Sequence, residues 1–582
     1  MLREAIYHRP KNNWSYAYDC KTVHLRIRTK KADVSQVSLI HGDKYNWPQA
    51  GPQTTPMKVF ARDTLYDYWE AAVQPSFRRL KYGFKLQSCN ETLWLNEQGF
   101  HESEPVNIYL YFEFPFLNPT DVFETPSWVK DAVFYQIFPE RFANGDPSLN
   151  PADVEQWGGV PTPHNFFGGD LQGVMDHLDH IERLGVNAIY FNPLFDAPTN
   201  HKYDTKDYMK VDPHFGTNEL LKELVDQCHA RGIRVLLDAV FNHSGKLFPP
   251  FVDVLEKGAG SRYADWFHVR EFPMEVQDGI PTYDAFAFEP HMPKLNTENS
   301  EVQEHLLDVA RYWIEEIGVD GWRLDVANEV DHRFWRKFRD VVKKANPDAY
   351  ILGEIWHDSL PWLGGDQFDA VMNYPFTEAV LDYAVRGTRD GREFADLVGT
   401  LMAAYPQQAT EAAFNLLGSH DTPRLLTLCK DDKRRMMLAT AIQFTSTGTP
   451  CIYYGDEVGL SGDHDPGCRK CMEWDESKQD RELFQFFADL VKLRRSHRAL
   501  RDGTYEVVQA EQGSSVLAYA RVADSEKFIV VLNAGKRKAS IVLPHEKNLS
   551  ANIVLGNGEA KPKGSKLQLS LPPLGYAIVR IG

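Results

Sequence analysis

Three carboxylates stand at or near the ends of three separate apolar runs: Asp325 in GWRLDV (321–326), Glu354 in AYILGEIW (349–356) and Asp421 in AAFNLLGSHD (412–421). Arg323 lies two residues before the first and His420 immediately before the third, while Asp238, Asn242 and His243 close a fourth run, RVLLDAVFNH (234–243). Three acids with two histidines and one arginine suit the hydrolysis of an acetal. A retaining glycosidase needs an ionised carboxylate as nucleophile and a second carboxyl that protonates the leaving oxygen, about 5 to 5.5 Å apart. In a strand, positions two apart share a face, so Arg323 would stabilise the Asp325 anion while Glu354, crowded by other carboxylates, would hold its proton. A plain structural ion pair between Arg323 and Asp325 accounts for that run alone and leaves the other run ends unexplained.

Such groups need a frame that brings several strand ends together. Short apolar runs begin at 131, 188, 234, 321, 349, 368, 412 and 451, most of them separated by helical patterns. One helix is read in NELLKELVDQCHARG, with Leu220, Leu221, Leu224, Val225 and Cys228 on a stripe and Gly232 as its stop. Another is read from Ser300 to Ile317, with Ser300 and Gln303 at capping-box spacing and Gly318 at its end. Strands alternating with helices imply a parallel sheet, and eight such units predict an α/β fold with a closed (β/α)8 TIM barrel over 123–502, whose active face lies at the C-terminal strand ends. A long aromatic-rich insertion follows strand 3 as a loop domain at about 243–300. Residues 1–122 alternate apolar and polar positions (TVHLRIRT, VNIYLYFEF), predicting an N-terminal β-sandwich, and 503–582 (VLAYARV, FIVVLN, YAIVRI) predict a C-terminal one.

The 582 residues carry 64 Lys plus Arg against 81 Asp plus Glu, a net charge of −17 that argues against nucleic acid and anionic membrane as partners. No apolar run is long enough for a span and the start has no leader pattern, so a cytoplasmic protein is expected. Seven scattered cysteines do not form a disulfide framework, and the lone CRKC of Cys468 and Cys471, without a second pair or neighbouring histidines, makes a poor zinc site.

The runs DAVFNH (238–243), GWRLDVANE (321–329), EIWHD (354–358) and LLGSHD (416–421) resemble, in order, the four signature regions of the α-amylase superfamily of glycoside hydrolases. MPKLN (292–296) resembles the extra signature of its neopullulanase, cyclomaltodextrinase and maltogenic amylase subgroup, and the N-terminal β-module matches that subgroup's layout. The resemblance implies Asp325 as nucleophile, Glu354 as general acid and base, and Asp421 as the residue that distorts the sugar and stabilises the transition state. It places Arg323, His243 and His420 on the reacting sugar, Asp238 in support and Tyr203 as its stacking ring, a core tyrosine being the alternative. Glu329 and Trp356 match the leaving-group side, Phe286 an acceptor-side aromatic with plain packing as the alternative, and Asp465 and Arg469 the donor side.

The implied activity is hydrolysis of α-1,4 bonds, with α-1,6 open, in cyclomaltodextrins, pullulan and starch oligosaccharides, accompanied by transglycosylation and needing no organic cofactor. A dedicated α-glucan glycosyltransferase and a catalytically inactive barrel used for binding are the alternatives. The subgroup also implies a homodimer through the carbohydrate-binding-module-like N-terminal domain. Asn144, Asp146 and Asn150, with Gly168 and Asp170, offer oxygen ligands for Ca2+, although Leu149-Asn150 replaces a common Asn-Asp, and a ligand-free turn is the alternative.

Overall fold

The computed structural model describes residues 1–582 except 547 and 548. Its centre is one sheet of eight parallel strands: β1 (Phe134–Ile137), β2 (Ala188–Phe191), β3 (Arg234–Ala239), β4 (Gly321–Leu324), β5 (Tyr350–Gly353), β6 (Ala370–Val371), β7 (Phe414–Asn415) and β8 (Thr449–Tyr453). Neighbours follow chain order from β1 to β6, β8 joins β1 to β7, and a parallel bridge from Met372 to Phe414 closes the ring. The expected (β/α)8 barrel is therefore present, and each of the eight apolar runs supplies its strand. Such runs are apolar on both faces because a parallel sheet is covered on both sides. Alternate residues fill the interior, where Phe134, Tyr190, Leu236, Leu352 and Phe414 pack together.

The amphipathic stripes make the outer helices. Helix α1 (Asn218–Ala230) is capped by Thr217 Oγ1 and buries Leu221, Leu224, Val225 and Cys228, whereas Leu220 is only partly buried. Helix α2 (Ser300–Tyr312) is capped by Asn299, not by the expected Ser300 box: Asn299 Oδ1 accepts from the N–H groups of Glu301 and Val302. An asparagine one residue earlier takes the orphan donors first, and Gln303 Nε2 turns to the Thr297 carbonyl. The last turn, Trp313–Ile317, widens into a π-helix before Gly318 stops it in the left-handed region. Helix α3 (His332–Ala345) starts at Asp331, whose carboxylate caps Arg333 and Phe334.

Strands between Ser15 and Phe114 form two antiparallel sheets that enclose Val23, Leu25, Ile27, Leu39, Trp69 and Phe84. This module docks on the barrel through Arg26, whose Nη1 donates to the Tyr405 carbonyl at 2.7 Å, and through Asn13, which donates to Ala403 O at 2.9 Å. Gly399 permits the close approach, since a Cβ there would lie 1.8 Å from Arg62 O. Strands between Thr504 and Ile581 form a second sandwich of five-stranded and three-stranded sheets. The segment between β3 and α2 holds a helix (Pro249–Lys257), a two-residue hairpin (Val276–Gln277, Ile280–Pro281) and a turn at Phe286–Phe288.

Candidate active site

Asp238 lies in β3, Arg323 in β4, Asp325 just beyond β4 and Glu354 just beyond β5, all at the C-terminal ends of adjacent strands. The strand register sets Asp238 directly beside Arg323. The fully buried guanidinium is divided among three acids: Nη1 donates to Asp238 Oδ1 at 2.9 Å and to Asp325 Oδ1 at 2.7 Å, and Nη2 pairs with Glu354 Oε1 at 2.9 Å. The Nη2 contact lies off hydrogen-bond geometry, which leaves Nη2 and Nε without a hydrogen-bond partner among the described residues.

Other donors fill the remaining carboxylate lone pairs. Tyr190 Oη donates to Asp238 Oδ2 at 2.6 Å. Glu354 Oε1 accepts from Trp356 Nε1 at 3.2 Å, and Oε2 from the Val326 N–H at 2.9 Å. That last contact requires a sharp turn after Asp325, and Val326 makes it with φ 45°. A β-branched residue at positive φ costs of order 1–3 kcal/mol and persists only where its surroundings over-determine it.

A second chain of hydrogen bonds reaches the same place from β1 and β2. Gln136 Nε2 donates to His420 Nδ1 at 2.9 Å, so the neutral imidazole carries its proton on Nε2. Nε2 faces Tyr203 Oη at 2.7 Å and Asp421 Oδ2 at 3.1 Å. Tyr203 Oη also accepts from Asn192 Nδ2 at 3.0 Å and donates to Asp238 Oδ2 at 3.1 Å, and its ring stacks parallel to that of His420. Burial and the cations Arg469 and Arg323 hold His420 well below the ordinary histidine range. His243 is lowered to about 3, mainly by burial. Its Nε2 faces the Tyr203 carbonyl at 3.1 Å, which holds the Tyr203 loop, and its Nδ1 faces the amide of its neighbour Asn242 at 3.3 Å.

Of the remaining expected residues, Asp421 accepts from Arg469 Nη2 at 3.2 Å, and Arg469 pairs with Asp465 at 3.1 Å. Trp356 is half-exposed, one face stacked on Tyr374 at 3.5 Å. Phe286 is half-buried on the His243 ring and Glu329 is half-exposed beside Lys294, so neither touches the carboxylates. Cys468 donates to the His420 carbonyl and is buried, which places CRKC behind the Asp465 loop. Gln136, Tyr190, Asn192 and Tyr374 were not anticipated. The available signal was a polar atom in an otherwise apolar run, as in FYQIF and IYFN.

Burial raises Asp325 well above the usual carboxylate range; Arg323 opposes this, while Glu354 and Asp238 add to it. Asp238 is pushed up to about 6, again chiefly by burial. Arg323 thus stabilises the Asp325 anion, as its place on the same strand face implies, but it does so against burial and against the two acids with which it is shared. Two carboxylates bound to the two ends of one guanidinium, one beside an aromatic surface, can supply nucleophile and acid in a single cleft.

For calcium, a fit is tested by free oxygens. Asn144 Oδ1 is buried without a partner, and Gly168 leaves room beside it, since a Cβ there would stand 2.2 Å from Asn150 Oδ1. Asp170 accepts from the N–H groups of Gly145, Asp146 and Gly173, which binds the loop to a helix start, while Asp146 turns outward to Ser148. Asn144 Oδ1 is thus the buried side-chain oxygen left free for a cation here, since Asn150 Oδ1 accepts from Asn144 Nδ2 at 2.9 Å, Asp170 is spent on N–H groups and Asp146 stands apart.

Comparison with known proteins adds independent findings. The α-amylase catalytic-domain model matches residues 136–503, the α-amylase N-terminal Ig-like model 1–118 and the maltogenic amylase C-terminal model 505–578. A cyclomaltodextrinase of Bacillus sp is 62% identical, covering 92% of this chain and 96% of its own. Neopullulanase 2 of Thermoactinomyces vulgaris is 44% identical over 98% of both chains. A solved cyclomaltodextrinase structure superposes with a TM-score of 0.96 at 57% identity over 100% of both chains.

If nucleophile ionisation sets the acid limb of kcat/KM, removing the neighbouring negative charge must lower it. Asp238→Asn should shift that limb to lower pH while cutting the maximal rate by about 10²-fold through misplacement of Arg323 and Tyr203. An acid limb that stays in place or moves up in the pH–rate profile would refute the part given to Asp238 in raising Asp325.

Proposed function

The chain belongs to the α-amylase family of glycoside hydrolases, and from that premise we propose that it is a retaining α-glucan hydrolase opening cyclomaltodextrins and cleaving pullulan and starch oligosaccharides. The observation that carries this reading is the Arg323 cluster, which holds Asp325 and Glu354 at the ends of β4 and β5. Asp325 attacks the anomeric carbon, and Glu354 gives its proton to the leaving oxygen. A water then releases the glycosyl enzyme as Glu354 takes a proton back. Asp421, tied to Arg469 and His420, faces the sugar whose ring must flatten. Tyr203 supplies the stacking surface, and His243 holds the Tyr203 loop in place.

Transglycosylation follows from the same site. The half-exposed Trp356 beside Glu354 offers an aromatic platform on which an acceptor sugar competes with water, with Glu329 and Phe286 at the rim. The cyclomaltodextrinases among its relatives support the cyclic substrate, and Asp325, Glu354 and Asp421 all stand in this chain.

Association of two copies through the N-terminal sandwich is supported by large apolar side chains exposed there: Tyr45, Phe77, Val106 and Tyr109. A calcium ion held by the Asn144 loop would supply a charge that braces the loop joining β1 to the first barrel helix. All seven cysteines are free and five are buried, as suits a reducing cytoplasm; recovery of the activity outside the cell membrane would contradict that location.

Initial rates should be highest on β-cyclodextrin, with pullulan and soluble starch slower, and proton NMR should show the α-anomer first. Asp325→Asn should lose about 10⁴-fold or more in kcat. A β-anomeric first product, or an active Asp325→Asn enzyme, would exclude the mechanism. Light scattering should give twice the 66.6 kDa chain mass, and a purely monomeric profile across concentration would exclude the dimer. Calcium added to chelated protein should raise Tm by a few degrees through preferential binding to the folded state; an unchanged melting curve would count against the ion.

A further inference from the structure

The opposite end of the barrel carries a cleft of about 810 Å³. It lies between the starts of β1, β2 and β3, the Gly185 end of the helix Leu178–Leu184, and one side of the helix Arg481–Ser496. Its size falls within the roughly 300–1,000 Å³ typical of small-molecule sites. Five basic side chains (Arg183, Arg234, Lys492, Arg495 and Arg501) face only two acidic ones, Asp131 and Asp489, on a chain whose net charge is −17.

Those cations are poorly neutralised. Arg234 is paired with Asp320 at 2.6 Å and Arg501 with Asp131 at 3.0 Å, but Arg495 reaches only the Gly185 carbonyl at 2.7 Å. Arg183 and Lys492 have no carboxylate within ion-pair distance among the described residues. Directly behind the cleft, Arg494 is buried with backbone carbonyls as its hydrogen-bond acceptors, among them Phe444 O at 2.9 Å and Leu500 O at 2.8 Å. The Nε atoms of Arg494 and Arg501 are buried without a hydrogen-bond partner. Burial and the neighbouring arginines Arg521 and Arg501 pull Arg494 down to about 9, as expected where positive charge lacks a counter-ion.

We infer that this cleft binds a small sugar carrying a phosphate monoester, the phosphate among Arg183, Lys492 and Arg495 and the sugar toward Trp128. A dianion with several acceptor oxygens matches a cleft lined by several Arg and Lys donors better than a single carboxylate does. A long polyanion is disfavoured by the acidic remainder of the chain. The half-buried Trp128 lines the same cleft and gives an apolar surface for a ring. The α-glucan substrate is uncharged and is cut at the other end of the strands, so this is a separate site.

Isothermal titration of the full chain at fixed ionic strength tests it, with glucose 6-phosphate, inorganic phosphate and glucose as the probes. Glucose 6-phosphate should bind saturably, inorganic phosphate more weakly and glucose not at all. Lys492→Glu should weaken glucose 6-phosphate by at least about tenfold, and Lys492→Arg should not, with the rate on cyclodextrin and the melting curve unchanged in both. Absence of saturable heat with either phosphate, or an unchanged Kd in Lys492→Glu, would overturn the site. Equal affinity for the two phosphates would overturn the sugar position at Trp128.

Discussion

One buried guanidinium organises the catalytic end of this molecule. Taking a charge out of water costs several kcal/mol unless it is paired and hydrogen-bonded, and removing one member of a buried pair leaves the other stranded. Arg323 is wholly enclosed, and β3, β4 and β5 each deliver it one carboxylate. The arrangement is therefore self-consistent only when all three strands keep their register. Three acids on one cation are over-supplied with negative charge, and that surplus adds to burial in raising Asp325 above the usual carboxylate range.

Hydrogen bonds give this cluster a direction. Gln136 fixes the His420 tautomer, His420 and Asn192 donate to Tyr203, and Tyr203 passes its proton toward Asp238. Each link fills the acceptor of the next group and leaves that group's donor to point onward. The two histidines are neutral through burial, so they act as oriented dipoles and braces in the unliganded enzyme rather than as added cations. The strained Val326 belongs to the same logic: its N–H is the group that holds Glu354 Oε2 beside Asp325.

Much of this was legible in the sequence. The eight apolar runs mark eight strands because a parallel barrel buries both faces, and the two-residue spacing of Arg323 and Asp325 correctly puts them on one side. Local competition was less visible: Asn299 outcompetes Ser300 for the start of α2, a choice made by backbone angles that spacing does not record. Nor could spacing reveal that Arg323 is divided over three acids, since Asp238 lies 85 positions away and meets it only through strand register. Gln136, Tyr190 and Asn192 were hidden for the opposite reason. Each sits in an apolar run where one polar residue reads as noise until its partner on another strand is known.

The ring of strands is not uniformly strong. Between β6 and β7, two strands of two residues each share one backbone bridge, Met372 to Phe414, with a side-chain hydrogen bond from Asn373 to Asn415 beside it, whereas β3 and β4 share four paired positions. Protein segments with few mutual hydrogen bonds open at lower free energy than the whole. The seam runs beside the β7 loop that carries His420 and Asp421. Warming would therefore loosen the ring there first, and with it the loop that carries His420 and Asp421. Catalytic loss on warming would then precede global melting, and the working temperature of the enzyme would be set by its weakest stave, not by the size of its core.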